Sequence, residues 1–202
     1  MTYHLLTALI AFAFVTSITP GPNNLMLMAS GANFGVRRSI PHMSGVALGF
    51  VFMLILIGLG LAKLFDIYPA SHTILKVASI IYLSFLAWKI ATAAPPDDTT
   101  ENKSPMTFVQ AAMFQWVNPK AWTMALTAVT AYAPSQTFTA TLLVAAVFGA
   151  INWPCVGFWT VLGQQMRKVL TSRKRLRAFN IFMAVLLLAS LYPVLGSVTD
   201  MT

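Results

Sequence analysis

The stretch "ITPGPNNLML", residues 18–27, lies inside a run that is otherwise almost wholly apolar. Two prolines, a glycine and two asparagines are poor residues for the middle of a helix that crosses a lipid bilayer. Proline lacks the backbone donor and clashes with the preceding turn. In hydrocarbon every unsatisfied backbone group is expensive. A broken helix is tolerated there only where its freed backbone lines a cavity or is buried in protein. The segment that resumes near Asn23 offers unpaired N–H groups and the positive end of a half-helix dipole, a setting that favours an anion such as a carboxylate.

The membrane context follows from composition. The chain has 202 residues, 57% hydrophobic and 9% charged, whereas soluble domains carry about 25% charged residues. Apolar runs of about 20 residues predict spans over 4–32, 40–64, 71–93, 106–133, 137–163 and 179–198. Six helices with short connections use nearly the whole chain and leave no soluble domain. A signal peptide over the first run is disfavoured, because the opening Met1-Thr2-Tyr3-His4 lacks a basic n-region and no small-residue cleavage site follows. Cys155 is the only cysteine, which excludes an internal disulfide and a two-thiol redox carrier.

A net charge of +8 invites a nucleic-acid reading, but its distribution argues against one. Arg167, Lys168, Arg173, Lys174, Arg175 and Arg177 crowd the connection between the fifth and sixth spans. Arg37 and Arg38 lie between the first and second, and Lys89 and Lys103 flank the connection between the third and fourth. Only Lys63 and Lys76 fall on the other side. The positive-inside rule then puts the odd connections in the cytoplasm and both termini outside. The basic run reads as a topology determinant rather than a specific anionic-lipid site.

Residues 95–105, Pro-Pro-Asp-Asp-Thr-Thr-Glu-Asn-Lys-Ser-Pro, form a polar linker near the midpoint, separating a first three-helix unit (1–94) from a second (106–202). Span one is interrupted at Thr19-Pro20-Gly21-Pro22-Asn23 and span four at Val117-Asn118-Pro119-Lys120-Ala121, with Pro20 and Pro119 standing 99 residues apart. Three spans per half place equivalent helices in opposite directions. This is the pattern of an inverted repeat, whose broken helices meet at a midplane binding site. The expected fold is therefore all-α and polytopic, with helices 1 and 4 broken at proline motifs.

Ionisable residues within a span are functional hypotheses by default, and Lys120 is the best placed. It either meets a substrate carboxylate or exchanges a proton; alternatively it is a structural lysine that binds the carbonyls freed by Pro119. Asn23, Asn24 and Asn118 can each donate and accept, which suits an ammonium and a carboxylate on one ligand, but they can equally cap helix ends. Gln115 and Asn152 add polar groups in spans four and five, and Asn152-Trp153-Pro154 predicts a bend. A stripe in span three, Lys76, Ser79, Tyr82 and Lys89, faces the bundle or bonds to neighbouring helices. Gly45 and Gly49 allow close helix contact.

All five acidic residues, Asp66, Asp97, Asp98, Glu101 and Asp200, fall outside the spans. A metal exporter would need hard ligands in the bilayer, and no metal or cofactor site is read here. A carrier of cationic side chains would need a carboxylate, so a neutral cargo is favoured. The usual carboxylate proton relay is missing too. His42 and Ser44 are close in sequence but do not face each other on a helix. His4 and His72 sit near the opposite interface. No nucleophile–base pair or metal cluster supports an enzyme.

Thr19-Pro20-Gly21-Pro22-Asn23, Gly35-Val36-Arg37-Arg38, Tyr82-Leu83 leading to Trp88-Lys89, and Asn118-Pro119-Lys120-Ala121 resemble the LysE/RhtB family of bacterial amino-acid exporters across nearly the whole chain. The stretch Leu86-Ala87-Trp88-Lys89-Ile90-Ala91-Thr92 is most similar to members exporting cysteine and O-acetylserine. One departure is Ala184, where many members carry a glycine after the position of Asn180. The resemblance implies a six-helix inner-membrane exporter of amino acids or derivatives, driven by protons. Its expected site comprises Pro20, Gly21, Pro22, Asn23, Asn118, Pro119 and Lys120. To these the residue reading adds Asn24, with Ser79, Tyr82, Gln115 and Asn152 as lining. Expected partners are an amino-acid substrate, protons and membrane lipid, without nucleic acid; a homo-oligomer is compatible. A structural membrane protein and a passive channel are the rival readings.

Overall fold

A computed structural model describes residues 1–63, 67–68, 70–93, 104–133 and 137–192. Most of the linker predicted at 95–105, and every acidic residue, lie outside the described residues. The described residues form eight α-helices: α1 (Tyr3–Ile18), α2 (Pro22–Phe34), α3 (Val36–Leu56), α4 (Ala70–Ala91), α5 (Phe108–Phe114), α6 (Pro119–Tyr132), α7 (Phe138–Met166) and α8 (Arg173–Ala189). A π-helical turn, Ile57–Leu61, extends α3, and a 3₁₀ turn, Gln115–Val117, extends α5. Hydroxyl caps start several of them. Thr2 accepts from Leu5, Thr137 from Ala140 and Ser172 from Arg175. Thr107 and Gln110 form a reciprocal capping box at α5.

Among the described residues three helices are long and apolar enough to cross a membrane: Val36–Leu61, Ala70–Ala91 and Phe138–Met166. The pair α1 and α2, bent by 53°, makes a fourth span if taken together. Two of the six expected runs take other forms. Residues 106–133 are divided among α5, the 3₁₀ turn and α6. The run expected from 179 begins earlier, at Arg173, so Arg173, Lys174, Arg175 and Arg177 belong to the first turns of α8 and not to a connection. Cations at a helix N-terminus oppose its dipole, so hydropathy alone started the helix too late; the Ser172 cap marks the true start. Pro154 lies within one continuous helix, α7.

The interior is split into two main apolar clusters. One joins α1, α3, α6 and α7 through Leu9, Phe50, Met53, Trp122 and Phe148. The other joins α2, α4, α5 and α8 through Leu25, Leu83, Phe114 and Leu187, and includes Ala184. Each broken run therefore changes cluster at its break: α1 belongs to the first and α2 to the second, α5 to the second and α6 to the first. The outward faces keep large apolar side chains such as Phe14, Leu48, Phe52 and Ile81 exposed, as lipid contact requires. Lipid tails are as apolar as these side chains, so dispersion and close packing hold the helices together.

Glycine sets the closest approach. A Cβ on Gly31 would strike the carbonyl oxygen of Thr160, and one on Gly163 would strike that of Met28. The backbones of α2 and α7 thus cross in direct contact, beyond the reach of any other residue type. Gly45 and Gly49 play the packing role expected of them: Cβ atoms there would meet Ala111 and Ala112 of α5 at 2.7 and 2.6 Å.

Candidate functional site at the two helix breaks

At the first break, Thr19, Pro20 and Gly21 separate α1 from α2. Ending α1 leaves its last carbonyls without partners. They are satisfied by side chains gathered from other parts of the fold. The Asn24 amide donates to Ser17 O at 2.7 Å and Thr19 O at 2.8 Å. Trp159 Nε1, from α7, donates to Ile18 O at 3.0 Å. Lys120 Nζ donates to Thr19 O at 2.8 Å, Thr19 Oγ1 at 2.9 Å and Pro20 O at 3.3 Å. An ammonium has three donors, and all three are committed to this break. A cation at the C-terminal end of α1 is also where the helix dipole favours one.

The second break delivers that lysine. Asn118 caps α6, its side chain accepting from the Lys120 backbone N–H at 3.1 Å. Pro119 occupies the first helical position, where its missing donor does no harm. Within the same segment Trp122 Nε1 donates to Trp116 O at 3.0 Å. The Lys120 stem then passes over Gly21, where a Cβ would lie only 2.7 Å from Lys120 Cδ. The Pro-Gly-Pro-Asn and Asn-Pro-Lys motifs therefore interlock: the glycine of one makes room for the lysine of the other.

A second link joins the breaks. Asn23 Nδ2 donates to Gln115 Oε1 at 2.9 Å, and Gln115 Nε2 returns a bond to Asn23 Oδ1 at 3.1 Å. Gln115 also donates to Ala111 O at 2.9 Å. The α2 N-terminus, in contrast, receives no side-chain cap. Its residues Gly21, Asn23 and Asn24 face a cavity of about 20 Å³ shared with Ser17, Asn118, Lys120 and Asn152. That space holds about one water. The two breaks form its walls.

Of the residues singled out from sequence, Gly21, Asn23, Asn24, Asn118, Lys120 and Asn152 line this cavity. Gln115 reaches it through Asn23. Pro20, Pro22 and Pro119 shape the breaks. Asn24 and Asn118 act as caps, the alternative their chemistry left open. Lys120 binds freed carbonyls, and those carbonyls belong to the first break. Ser79 and Tyr82 do not line it. Ser79 is buried and bonds back to Leu75 O at 2.7 Å, while Tyr82 packs on Phe114 with ring centroids 5.7 Å apart. Sequence reasoning missed Ser17 and Trp159. Ser17 Oγ is buried at the cavity without a partner among the described residues. An indole N–H in mid-span needs an acceptor, and that need was the legible signal for Trp159.

A bundle of apolar helices with a small polar cavity between two interlocked breaks is similar to the broken-helix sites of membrane transporters. The LysE type translocator family profile matches residues 14–190. The chain belongs to this family; it is a membrane transporter and not an enzyme. Among its relatives, the cysteine/O-acetylserine efflux protein of Escherichia coli (strain K12) is 31% identical over 192 residues, covering 93% of this chain and 95% of the relative. Proteins of the same description from Shigella sonnei (strain Ss046) and Escherichia coli O1:K1 / APEC give the same identity and coverage. No solved structure matches the chain.

Proposed function

We propose that the protein exports small, mainly neutral amino acids or their derivatives across the bacterial inner membrane in exchange for protons. The observation that carries this reading is the uncapped N-terminus of α2, which faces a polar cavity within reach of Lys120. The names of its relatives make cysteine and O-acetylserine the first cargo to test. Six spans, arranged as two inverted three-helix units around the linker with both termini outside, complete the proposed architecture.

In this mechanism the substrate carboxylate docks at the α2 N-terminus, where backbone donors and the dipole favour an anion. The ammonium of Lys120 turns from Thr19 and Pro20 toward that carboxylate. Docking therefore exchanges bonds within the protein for bonds to cargo, and loosens the tie between the two breaks. Ser17 Oγ, Asn152 and the Asn24 side-chain oxygen receive the polar groups of the substrate. Proton return uses Lys120 or the substrate amine. A cavity of about 20 Å³ is too small for an amino acid, so in this cycle the two breaks part to admit one.

The test is efflux from proteoliposomes loaded with labelled cysteine, O-acetylserine, threonine, homoserine, leucine or lysine, with a pH gradient imposed or collapsed. Gradient-dependent efflux of the neutral compounds with lysine retained is the expected result. Efflux indifferent to the gradient would mark a passive channel. Lysine efflux would overturn the argument from missing carboxylates.

A further inference from the structure

A side-chain amide buried in a membrane bundle must find its partners in the protein, since hydrocarbon supplies none. Six amide side chains are buried among the described residues: Asn24, Asn33, Gln115, Asn118, Asn152 and Asn180. Five make hydrogen bonds inside the protein. Asn24 holds Ser17 O and Thr19 O, Gln115 pairs with Asn23, and Asn118 caps α6. Asn33 and Asn180 exchange bonds at 3.0 and 3.3 Å, and reach Ala29 O and Ala93 O besides. Asn152 is the exception. It is 6% exposed and makes no hydrogen bond with any described residue. Neither its amide oxygen nor its amide nitrogen is sealed by packing, and the residue lines the cavity between the two breaks.

Two structural duties would explain a buried amide here, and Asn152 performs neither among the described residues. Pro154 deprives the Ala150 carbonyl of its helical donor, yet Asn152 does not bond back to it. Nor does Asn152 tie α7 to a neighbouring helix, as Asn180 ties α8 to α2. Its surroundings are apolar. It follows Phe148 by one turn on the same face of α7, and Phe50 packs on Phe148 with ring centroids 5.1 Å apart. Phe50, Ala121 and Met124 share the cavity lining with Asn152. The ionic and dipolar groups of the same lining are Lys120 and the start of α2. An amino acid would sort itself accordingly. Its carboxylate takes Lys120 and the α2 N-terminus, its ammonium donates to the Asn24 side-chain oxygen, and its neutral side chain meets the apolar wall and the one unspent amide.

We infer that Asn152 selects the cargo by its side chain: the site takes small amino acids whose side chain carries a hydrogen-bonding oxygen or sulfur, and discriminates against apolar side chains of the same size. The inference rests on the export reading and narrows it from neutral side chains to polar neutral ones. An amide suits the task because it can turn over. Its NH₂ donates to an ester carbonyl, and its oxygen accepts from a hydroxyl or a thiol. Beside an apolar side chain the amide stays buried and unpaired. Sites built to hydrogen-bond a substrate group reject the analogue that lacks it.

The test uses the full chain in proteoliposomes loaded with equal amounts of labelled homoserine and norvaline, which differ only by a hydroxyl in place of a methyl. Each preparation gives a ratio of efflux rates that is independent of how much protein is folded. O-acetylserine is run alongside as a third cargo. The parent is expected to favour homoserine over norvaline about tenfold. Asn152→Leu, which keeps the volume, and Asn152→Ala, which cannot crowd the wall, should both bring the ratio to within about twofold of one. Asn152→Ser keeps a hydroxyl and should hold a preference of about threefold or more. An amide with only a structural role would slow both compounds alike. The parent's ratio retained in Asn152→Leu or Asn152→Ala, or loss of both compounds in every variant, therefore overturns the selector. A parent ratio near one, or a parent that expels O-acetylserine but not homoserine, overturns it as well and leaves export standing. A parent that expels none of the three overturns the export reading and the selector with it.

Discussion

The two helix breaks are made of similar residues and handle their freed backbone in opposite ways. The break at Asn118 is largely self-contained: its own asparagine caps α6, and Trp122 reaches the nearby Trp116 carbonyl. The break at Thr19–Gly21 depends on the rest of the molecule, with carbonyls held by Trp159 from α7 and Lys120 from α6. Its other side, the start of α2, has no side-chain cap at all. In the proposed mechanism one break is a scaffold and the other is a receptor. A site that must both hold and release a ligand is better built from borrowed bonds than from local ones, because borrowed bonds can be exchanged.

This asymmetry can be attacked directly. Lys120→Met should have the largest effect. It removes charge-assisted bonds worth about 1.5–3 kcal/mol each from the first break, lowers thermal stability of the detergent-solubilised protein and reduces efflux below about a tenth of the parent. Gly21→Ala comes next. Its Cβ would meet the lysine stem at 2.7 Å; the flexible stem shifts aside at the expense of its bonds to Thr19 and Pro20, a loss of about 1–2 kcal/mol readable in the same melting and efflux assays. The Asn23–Gln115 pair is expected to show a coupling of about 1 kcal/mol in a double-mutant cycle to alanine, measured by reversible unfolding in mixed micelles. Asn118→Ala should be mildest, with a loss of about 1 kcal/mol of cap stability, restoration by Asn118→Ser and little change in efflux. If Asn118→Ala instead abolished efflux as fully as Lys120→Met, the division into scaffold and receptor would be wrong.

Much of this site was legible in the sequence because membrane helices leave proline, asparagine and lysine so little reason to occur together. Pro20, Asn23, Asn118 and Lys120 stand out against an apolar background without any structure. What periodicity could not supply was the pairing. Nothing in the spacing says that Lys120 serves the carbonyls of Thr19 and Pro20, or that Asn23 meets Gln115, since contacts across about a hundred residues depend on how two bent segments cross. The stripe with Ser79 and Tyr82 was legible only as a stripe, for a related reason: helical spacing shows that residues share a face, not what the face meets. His42 was passed over because it was weighed as half of a catalytic pair with Ser44. That its ring nitrogens find no partner among the described residues is visible only in three dimensions. The late start assigned to the last helix has a simpler cause, for hydropathy cannot detect a helix whose first turns carry four cations.

The crossing of α2 and α7 at Gly31 and Gly163 bears on all of these distances. Backbone touching backbone fixes the height of one helix on the other far more tightly than side chains with several rotamers could. The joint therefore serves as a surveyor's benchmark for the molecule. From it α7 carries Trp159 and Asn152 to fixed levels, and α2 carries Asn23 and Asn24 to theirs. A single methyl group added at the benchmark would shift both scales at once, and the error would be read one turn along α7, about 6 Å from Gly163, where the Trp159 indole N–H no longer finds the last carbonyl of α1.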